Sequence, residues 1–179
     1  ESIRDAILEP SGYLDPTMSG PSINVYYVGA AAGGGPRGPL DGERRRSVYQ
    51  AIRRNAQNPF LRLFDSPEPS TTRGRRDTTN IPAQSLAMLN DPFVVSQAER
   101  WANRTLADGA VSPTDRAVRM FRRAIGRGPG PDETKLLISS LEELARTREV
   151  PETEWMGDQD LWKDLAQTLF NLKEFLYLR

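Results

Sequence analysis

The chain has no cysteine and no histidine among its 179 residues. Their absence excludes a Cys/His zinc site, a covalently attached haem, a cysteine nucleophile, a Ser-His-Asp relay and a histidine general base. Any catalysis would fall to carboxylates, Lys, Tyr or Arg, and no cofactor is expected in this chain. Without cysteine, disulfides give no reading of the redox compartment. No run of about 18 apolar residues occurs, so no membrane span is expected. The chain shows no signal peptide and opens on Glu1 rather than Met, as expected of a piece of a longer protein. Net charge is also missing: 24 basic and 24 acidic side chains cancel. That argues against a protein whose main task is to hold a polyphosphate, which needs a positive field.

What is present in quantity is turn chemistry. The 14 Pro and 14 Gly, with a mean hydropathy of -0.58, make much of the chain loop and surface. The length suits one domain spanning residues 1–179. Charge is unevenly spread: residues 37–76 carry ten Arg against four acids, and residues 130–179 carry six Lys or Arg against eleven acids. Residues 2–8 read as a short helix ended by Pro10, and residues 24–28 as a brief strand. The Gly triplet within residues 30–42 lacks the Lys and strand-helix context of a phosphate cradle, so this stretch reads as a mobile loop. Residues 44–54 fit helix and strand alike, and their β-branched and aromatic content favours strand. Residues 58–64 read as a short helix with Pro59 at its first position and Phe60, Leu61 and Phe64 on the core.

Beyond residue 80 the pattern is helical. Pro82 and Pro92 each mark a helix start, the second capped by Asp91. Val94, Ala98, Trp101, Ala102 and Thr105 then form an apolar stripe, with Gln97, Arg100, Asn103 and Arg104 off it. Asn103-Arg104-Thr105 matches a glycosylation sequon by accident of a helical context. Ser112 opens a further helix with Ala117, Val118, Phe121, Ala124 and Ile125 inward and Arg116, Arg119, Arg122 and Arg123 outward. Gly126, Gly128 and Gly130 end it. The next helix buries Leu137, Leu141, Leu144 and Ala145 and pairs Glu142 with Arg146. A last one, from about Gln159, packs Leu161, Trp162, Leu165, Ala166, Leu169 and Leu172 inward and continues through Phe175 and Leu176. Asp158 and Asp160 read as acids at a helix opening rather than calcium ligands. The fold is therefore expected to be mainly α: an antiparallel helical bundle at residues 81–179, wrapped by an irregular segment at residues 1–80 with at most a small strand pair.

The densest polar chemistry lies at residues 71–91, TTRGRRDTTNIPAQSLAMLND. Arg73, Arg75 and Arg76, then Thr78, Thr79 and Asn80, precede a proline-led helix, more hydrogen-bonding capacity than a plain connection needs. Such a loop is either held by a network or aimed at a ligand. With RRSVY at residues 45–49, LFDSPEP at 63–69, RRDTTNIPAQSLAMLNDPF at 75–93, FRRAIGRGPGPDE at 121–133 and LFNLKEFLYLR at 169–179, the chain resembles the PSD1 (DUF1553) domain. That resemblance implies the C-terminal module of a large planctomycete-type protein with a cytochrome c-like domain, exported and extracytoplasmic. It implies no reaction, and the chain has no Cys-x-x-Cys-His to hold that haem itself.

On the residues alone, the first functional reading is a non-catalytic docking module. Arg45, Arg46, Arg73, Arg75 and Arg76, with Asn80, Gln84 and Asp91 in the same candidate set, would meet carboxylates on another domain of the parent protein or on an acidic polysaccharide. The same arginines would equally tie the irregular half to the bundle through Asp65, Asp77 and Asp91. A second reading is a glycan-processing enzyme using Asp65, Glu68, Asp77 and Asp91, although acids beside so many arginines suit ion pairing better than proton donation. A third is nucleic-acid binding by the arginine-rich helix after Ser112, against which the zero net charge and the absence of a reading motif weigh.

Overall fold

The computed structural model describes residues 1–24, 26, 37–53, 56–70, 72, 74–75 and 79–177. They form helices and turns with almost no strand, so the fold is mainly α, as the periodicity predicts. By proximity of the backbone the chain divides into two compact units: Glu1–Glu9 with Tyr13–Phe93, and Pro10–Gly12 with Val94–Arg179.

The first unit begins with α1 (Ser2–Leu8), which buries Ile7, Leu8 and the side chain of Arg4. Pro10 follows closely, and proline cannot continue a helix. The Leu8 carbonyl instead accepts the N–H groups of Tyr13 and Leu14, at 3.0 and 3.1 Å. The strand expected over residues 44–54 does not form in the described part. Gly42–Arg44 and Ser47–Tyr49 are 3-10 turns, joined to neighbouring chain by isolated bridges from Arg45 to Asp15 and from Gln50 to Ile23. The physical reason is local. Glu43 and Arg44 adopt left-handed backbone with φ of 52° and 69°, and the Asp41 carboxylate accepts the Glu43 N–H at 3.2 Å. Val48 and Ile52, whose alternation suggested a half-buried strand, are 69% and 82% exposed, so no apolar face exists to hold one. Most of the expected strand at residues 24–28 and of the loop at residues 30–42 lies outside the described residues.

Asn58 caps α2 (Pro59–Leu63): its side-chain oxygen accepts the Leu61 N–H at 3.1 Å, and Pro59 takes the first helical position. Phe60 packs on Phe64 and Phe93 with ring centroids 4.8 and 5.4 Å apart. The next helix, α3 (Pro82–Asn90), packs on α2 and buries Gln84 and Met88, while Leu86 and Leu89 stay exposed. The sequence groups α3 with the helical half; its packing on α2 places it in the first unit.

In the second unit, α4 (Pro92–Leu106) buries the expected stripe of Val94, Ala98, Trp101, Ala102 and Thr105. Gln97, read as lying off that stripe, is fully buried too, because Ser11 Oγ donates to its Oε1 at 2.9 Å. Ser112 opens α5 (Pro113–Ile125) by accepting the Asp115 N–H at 3.1 Å, and Gly126, at φ 81°, closes it in the left-handed conformation. Ala117, Met120 and Phe121 face inward. Arg116, expected on the solvent face, is buried with them. Its guanidinium sits 5.0 Å from the Trp162 ring centre, donates to the Met156 carbonyl at 2.6 Å and lies 3.7 Å from Asp108 Oδ1. A charge that is paired, hydrogen-bonded and laid on an aromatic face tolerates burial.

Leu137, Leu141 and Ala145 are the buried residues of α6 (Pro131–Thr147). Its surface pair differs from expectation: Arg146 bonds Glu143 at 2.9 Å, one residue nearer than Glu142. Asp158 caps α7 (Gln159–Phe170) by accepting the Leu161 N–H at 2.7 Å, and Leu161, Trp162, Leu165, Ala166, Leu169 and Phe170 are buried. The helix does not run on as expected. It stops at Phe170, Leu172 turns extended at ψ 137°, and the short α8 (Lys173–Leu176) follows with Phe175 against Phe170. Helices α5, α6 and α7 pack pairwise, with α8 on α5 and α7.

Past Gly126 the chain is held by one arginine. Arg127 binds both oxygens of Glu133 at 2.6 and 2.7 Å and both of Glu174 at 2.6 and 3.0 Å. Hydrogen bonds from Arg127, then the Gly130 N–H, hold the Glu133 carboxyl down to about 2 from its ordinary 4.5. A folded-state pKa below the unfolded one stabilises the fold above pH 4.5, and that contribution is lost as pH falls toward 2. The group is exposed, so the loss in stability is expected to be small. A carbon-detected NMR titration of the Glu133 side chain should give a midpoint near 2; an ordinary midpoint near 4.5 would mean that the fork is open in solution.

Candidate functional site

The arginine loop is clamped at its feet. Asp65 ends the segment after α2 with left-handed backbone, φ 58°, which turns its carboxylate toward Thr79. It accepts the Thr79 N–H at 2.7 Å and the Thr79 hydroxyl at 2.9 Å. Gln84, buried on α3, completes the clamp. Its Nε2 donates to Thr79 Oγ1 at 3.1 Å and to the Leu63 carbonyl at 3.0 Å, and its Oε1 accepts the Ile81 N–H at 3.3 Å. Gln84 is therefore a fixing residue with every amide atom engaged. Asp91 caps the start of α4 by accepting the Phe93 N–H at 2.8 Å. Burial pushes its carboxyl above the ordinary range, and the hydrogen bond offsets part of that.

Among the other candidates, Arg75 and Asn80 are exposed, while Arg73 and Arg76, with Asp77, lie outside the described residues. Arg45 is half-buried and committed to the fold: it stacks 3.9 Å from the Tyr49 ring centre and donates to the carbonyls of Ser19, Thr17 and Pro21, at 2.6, 3.2 and 3.3 Å. Arg46 is exposed, with Nε 3.6 Å from Asp5 Oδ2. Thus the structure joins Asp65, Thr79 and Gln84 in one network and gives Arg45 a different one. Of the acids offered for catalysis, Asp65 and Asp91 are occupied by N–H and O–H donors and Glu68 is exposed. Among the described residues no group of three acids is gathered for a metal.

The sequence reading missed Arg4. Its guanidinium, 1% exposed, donates to the carbonyls of Asp41 and Arg45 at 2.5 and 2.9 Å and to Ser47 Oγ at 3.0 Å, and lies 5.6 Å from the Phe93 ring centre. Asp5 beside it accepts from the Ser47 N–H and hydroxyl at 2.8 and 2.7 Å. A side chain added at Gly42, φ 56°, would stand 2.4 Å from Arg4 Nη2 and 3.0 Å from Gln50 Nε2, so glycine is required there. The signal for this arginine is present in the spacing, since its i+3 and i+4 neighbours are Ile7 and Leu8, both buried, which places Arg4 on the inward face of α1. Next to this junction a groove of about 290 Å³ is lined by Ser47, Gln50, Arg53, Asn58, Leu61 and Arg62 among others, with the exposed Val48 and Ile52 on it.

The second unit holds a different recess, of about 360 Å³, between α4 and α5. Trp101, Thr105 and Met120 are its buried floor, and Arg104, Arg119, Arg122, Arg123 and Asp108 complete the lining. The arginine-rich face of α5 read from the sequence thus forms a wall of a concavity rather than a flat solvated surface.

These features belong to a mainly helical chain. The family model of PSD1, described as a protein of unknown function (DUF1553), matches residues 1–141, and the chain belongs to that family. The match takes in α1 through α5 and much of α6, and leaves the resembling segment at residues 169–179 beyond it. No curated protein and no solved structure matches the chain. No helix among the described residues is long and apolar enough to cross a membrane.

Proposed function

We propose that the chain is a non-catalytic interaction module that engages an acidic partner, an acidic polysaccharide or an acidic face of another domain of its parent protein, through the arginine loop at residues 73–76 and Arg46. The observation that supports this reading is how the nearby carboxylates are used. Asp65 accepts from the Thr79 N–H and hydroxyl and Asp91 from the Phe93 N–H, while Asp5 accepts from Ser47 and lies 3.6 Å from Arg46. Arg75 is exposed, and Asp65 and Thr79, on either side of it in sequence, are bound to each other. Arg45, committed to main-chain carbonyls, leaves the binding set. By resemblance the parent is extracytoplasmic and associated with a cytochrome c-like domain, which suits a polymer-binding role.

The test is isothermal titration of the chain with polygalacturonate and with the separately produced remainder of the parent, using Arg75→Ala and Arg46→Ala variants. Each charge-assisted pair lost should weaken binding by about tenfold, in variants whose circular dichroism and melting are unchanged. A melting temperature that collapses in Arg75→Ala, with no binding by the parent chain, would make the loop a structural element instead.

A further inference from the structure

We propose that Met18 is a redox modification site: a peroxide oxidises its thioether to the sulfoxide, and Arg46 and Tyr49 hold the new oxygen. The site shares Arg46 with the acidic-partner reading but does not rest on it, and its test involves no partner.

Exposure is the first argument. Of the four methionines, Met18 is 67% exposed, while Met88 and Met120 are buried and Met156 is half-buried. Oxidation of a thioether follows access, so Met18 is the one a peroxide in solution meets first. The second argument is what surrounds the sulfur. Arg46 Nη1 and the Tyr49 hydroxyl both donate toward Met18 Sδ, from 4.0 and 3.9 Å. Thioether sulfur is a weak acceptor, and at these lengths its lone pairs stay open to an oxidant. An oxygen added on that side would stand one covalent bond nearer the same two donors, in the range of an ordinary hydrogen bond. It would also be a polar acceptor in place of a weak one.

The third argument is that both donors are held in place. The Tyr49 hydroxyl accepts the Ser19 N–H at 2.6 Å, which leaves its own proton for Met18, and the Arg45 guanidinium lies over the Tyr49 ring. Asp5 Oδ2 stands 3.6 Å from Arg46 Nε, which leaves Nη1 for Met18. Arg45 fastens the loop that carries Met18 through the carbonyls of Thr17, Ser19 and Pro21. The sulfoxide therefore meets a preformed pair of donors and ties residues 17–21 more firmly to the turn at Ser47–Tyr49. The step balances with hydrogen peroxide alone. A sulfur lone pair attacks one peroxide oxygen; the S–O bond forms as the O–O bond breaks, the sulfur gives up two electrons, and the other oxygen departs as water after taking the proton of the attacked one. A methionine sulfoxide reductase restores the thioether.

Peptide mass spectrometry of the full chain in dilute hydrogen peroxide should find Met18 oxidised about tenfold or more faster than Met156, with Met88 and Met120 slower still. In the oxidised chain the Ser19 N–H, followed by NMR, should exchange with water about tenfold more slowly, because lifting it off Tyr49 now also breaks the sulfoxide bond. Treatment with a methionine sulfoxide reductase should reverse the slowing. Arg46→Leu should lose most of it while still oxidising at Met18, and Met18→Leu should show none. Four outcomes would overturn the site: Met156 oxidising as fast as Met18, exchange at Ser19 unchanged or faster after oxidation, the full slowing retained in Arg46→Leu, or slowing that persists in Met18→Leu. Failure to bind an acidic partner bears on none of these.

Discussion

Replacing Arg4 by Met will lower the melting temperature of the chain by about 10 °C, equivalent to roughly 3–5 kcal/mol, the usual cost of breaking a buried charged network. Methionine keeps the volume and the apolar stem, so the loss reports the guanidinium. Three acceptors depend on it: the carbonyls of Asp41 and Arg45 and the Ser47 hydroxyl. They come from chain some forty residues away that has no ladder of its own, only 3-10 turns and isolated bridges. In a sheet, those carbonyls would find backbone partners; here one side chain supplies them. Burial lowers the Arg4 pKa, and the nearby Asp5 and Asp41 offset part of that. Thermal unfolding followed by circular dichroism is the measurement. A drop under about 2 °C would show that water replaces the guanidinium without penalty and that the irregular segment is held elsewhere.

Trp162→Ala should cost a similar amount in the second unit, about 3–5 kcal/mol. The indole is fully buried, its Nε1 donates to the Trp155 carbonyl at 2.7 Å, and its ring covers Arg116. Truncation therefore opens a cavity, orphans a carbonyl and uncovers a buried charge. Trp162→Phe separates these effects. It keeps most of the apolar contact and the aromatic face but loses the hydrogen bond, for an expected cost of about 1–2 kcal/mol. A double-mutant cycle with Arg116→Met should return a coupling of about 0.5–2 kcal/mol for the guanidinium and ring. Additive losses in urea denaturation would mean that the two side chains are merely neighbours.

These two residues also show where the sequence is informative and where it is not. The stripe on α4, the caps at Ser112 and Asp91, the helix openings at Pro59 and Asp158, and the glycine at the end of α5 are all readable, because each depends on residues within about one turn. Arg4, Gln97 and Arg116 are misread or missed for a common reason. Each is a polar residue satisfied by partners 86, 41 or 40 residues away, and a reading by residue type alone treats every polar residue as solvent-facing. The strand expected at residues 44–54 fails similarly: alternation is present, but the face it would bury is in water. For the candidate site, the sequence locates the dense polar loop and the arginine face of α5. It does not reveal that Arg45 and Gln84 are already committed, nor that the α5 arginines border a recess with a tryptophan floor.

Neither unit is one uninterrupted stretch of chain. Three residues, Pro10–Gly12, belong with the helices that begin at Val94, and Ser11 is the donor that satisfies the buried Gln97. During synthesis, Ser11 must wait for Gln97, made 86 residues later, before that bond closes. A truncation that starts after the first dozen residues keeps every long helix yet strips the buried Gln97 amide oxygen of its Ser11 donor. The tripeptide Pro10–Gly12 is thus as much a part of the helical half as the helices themselves, and a fragment boundary drawn by counting helices would leave it out.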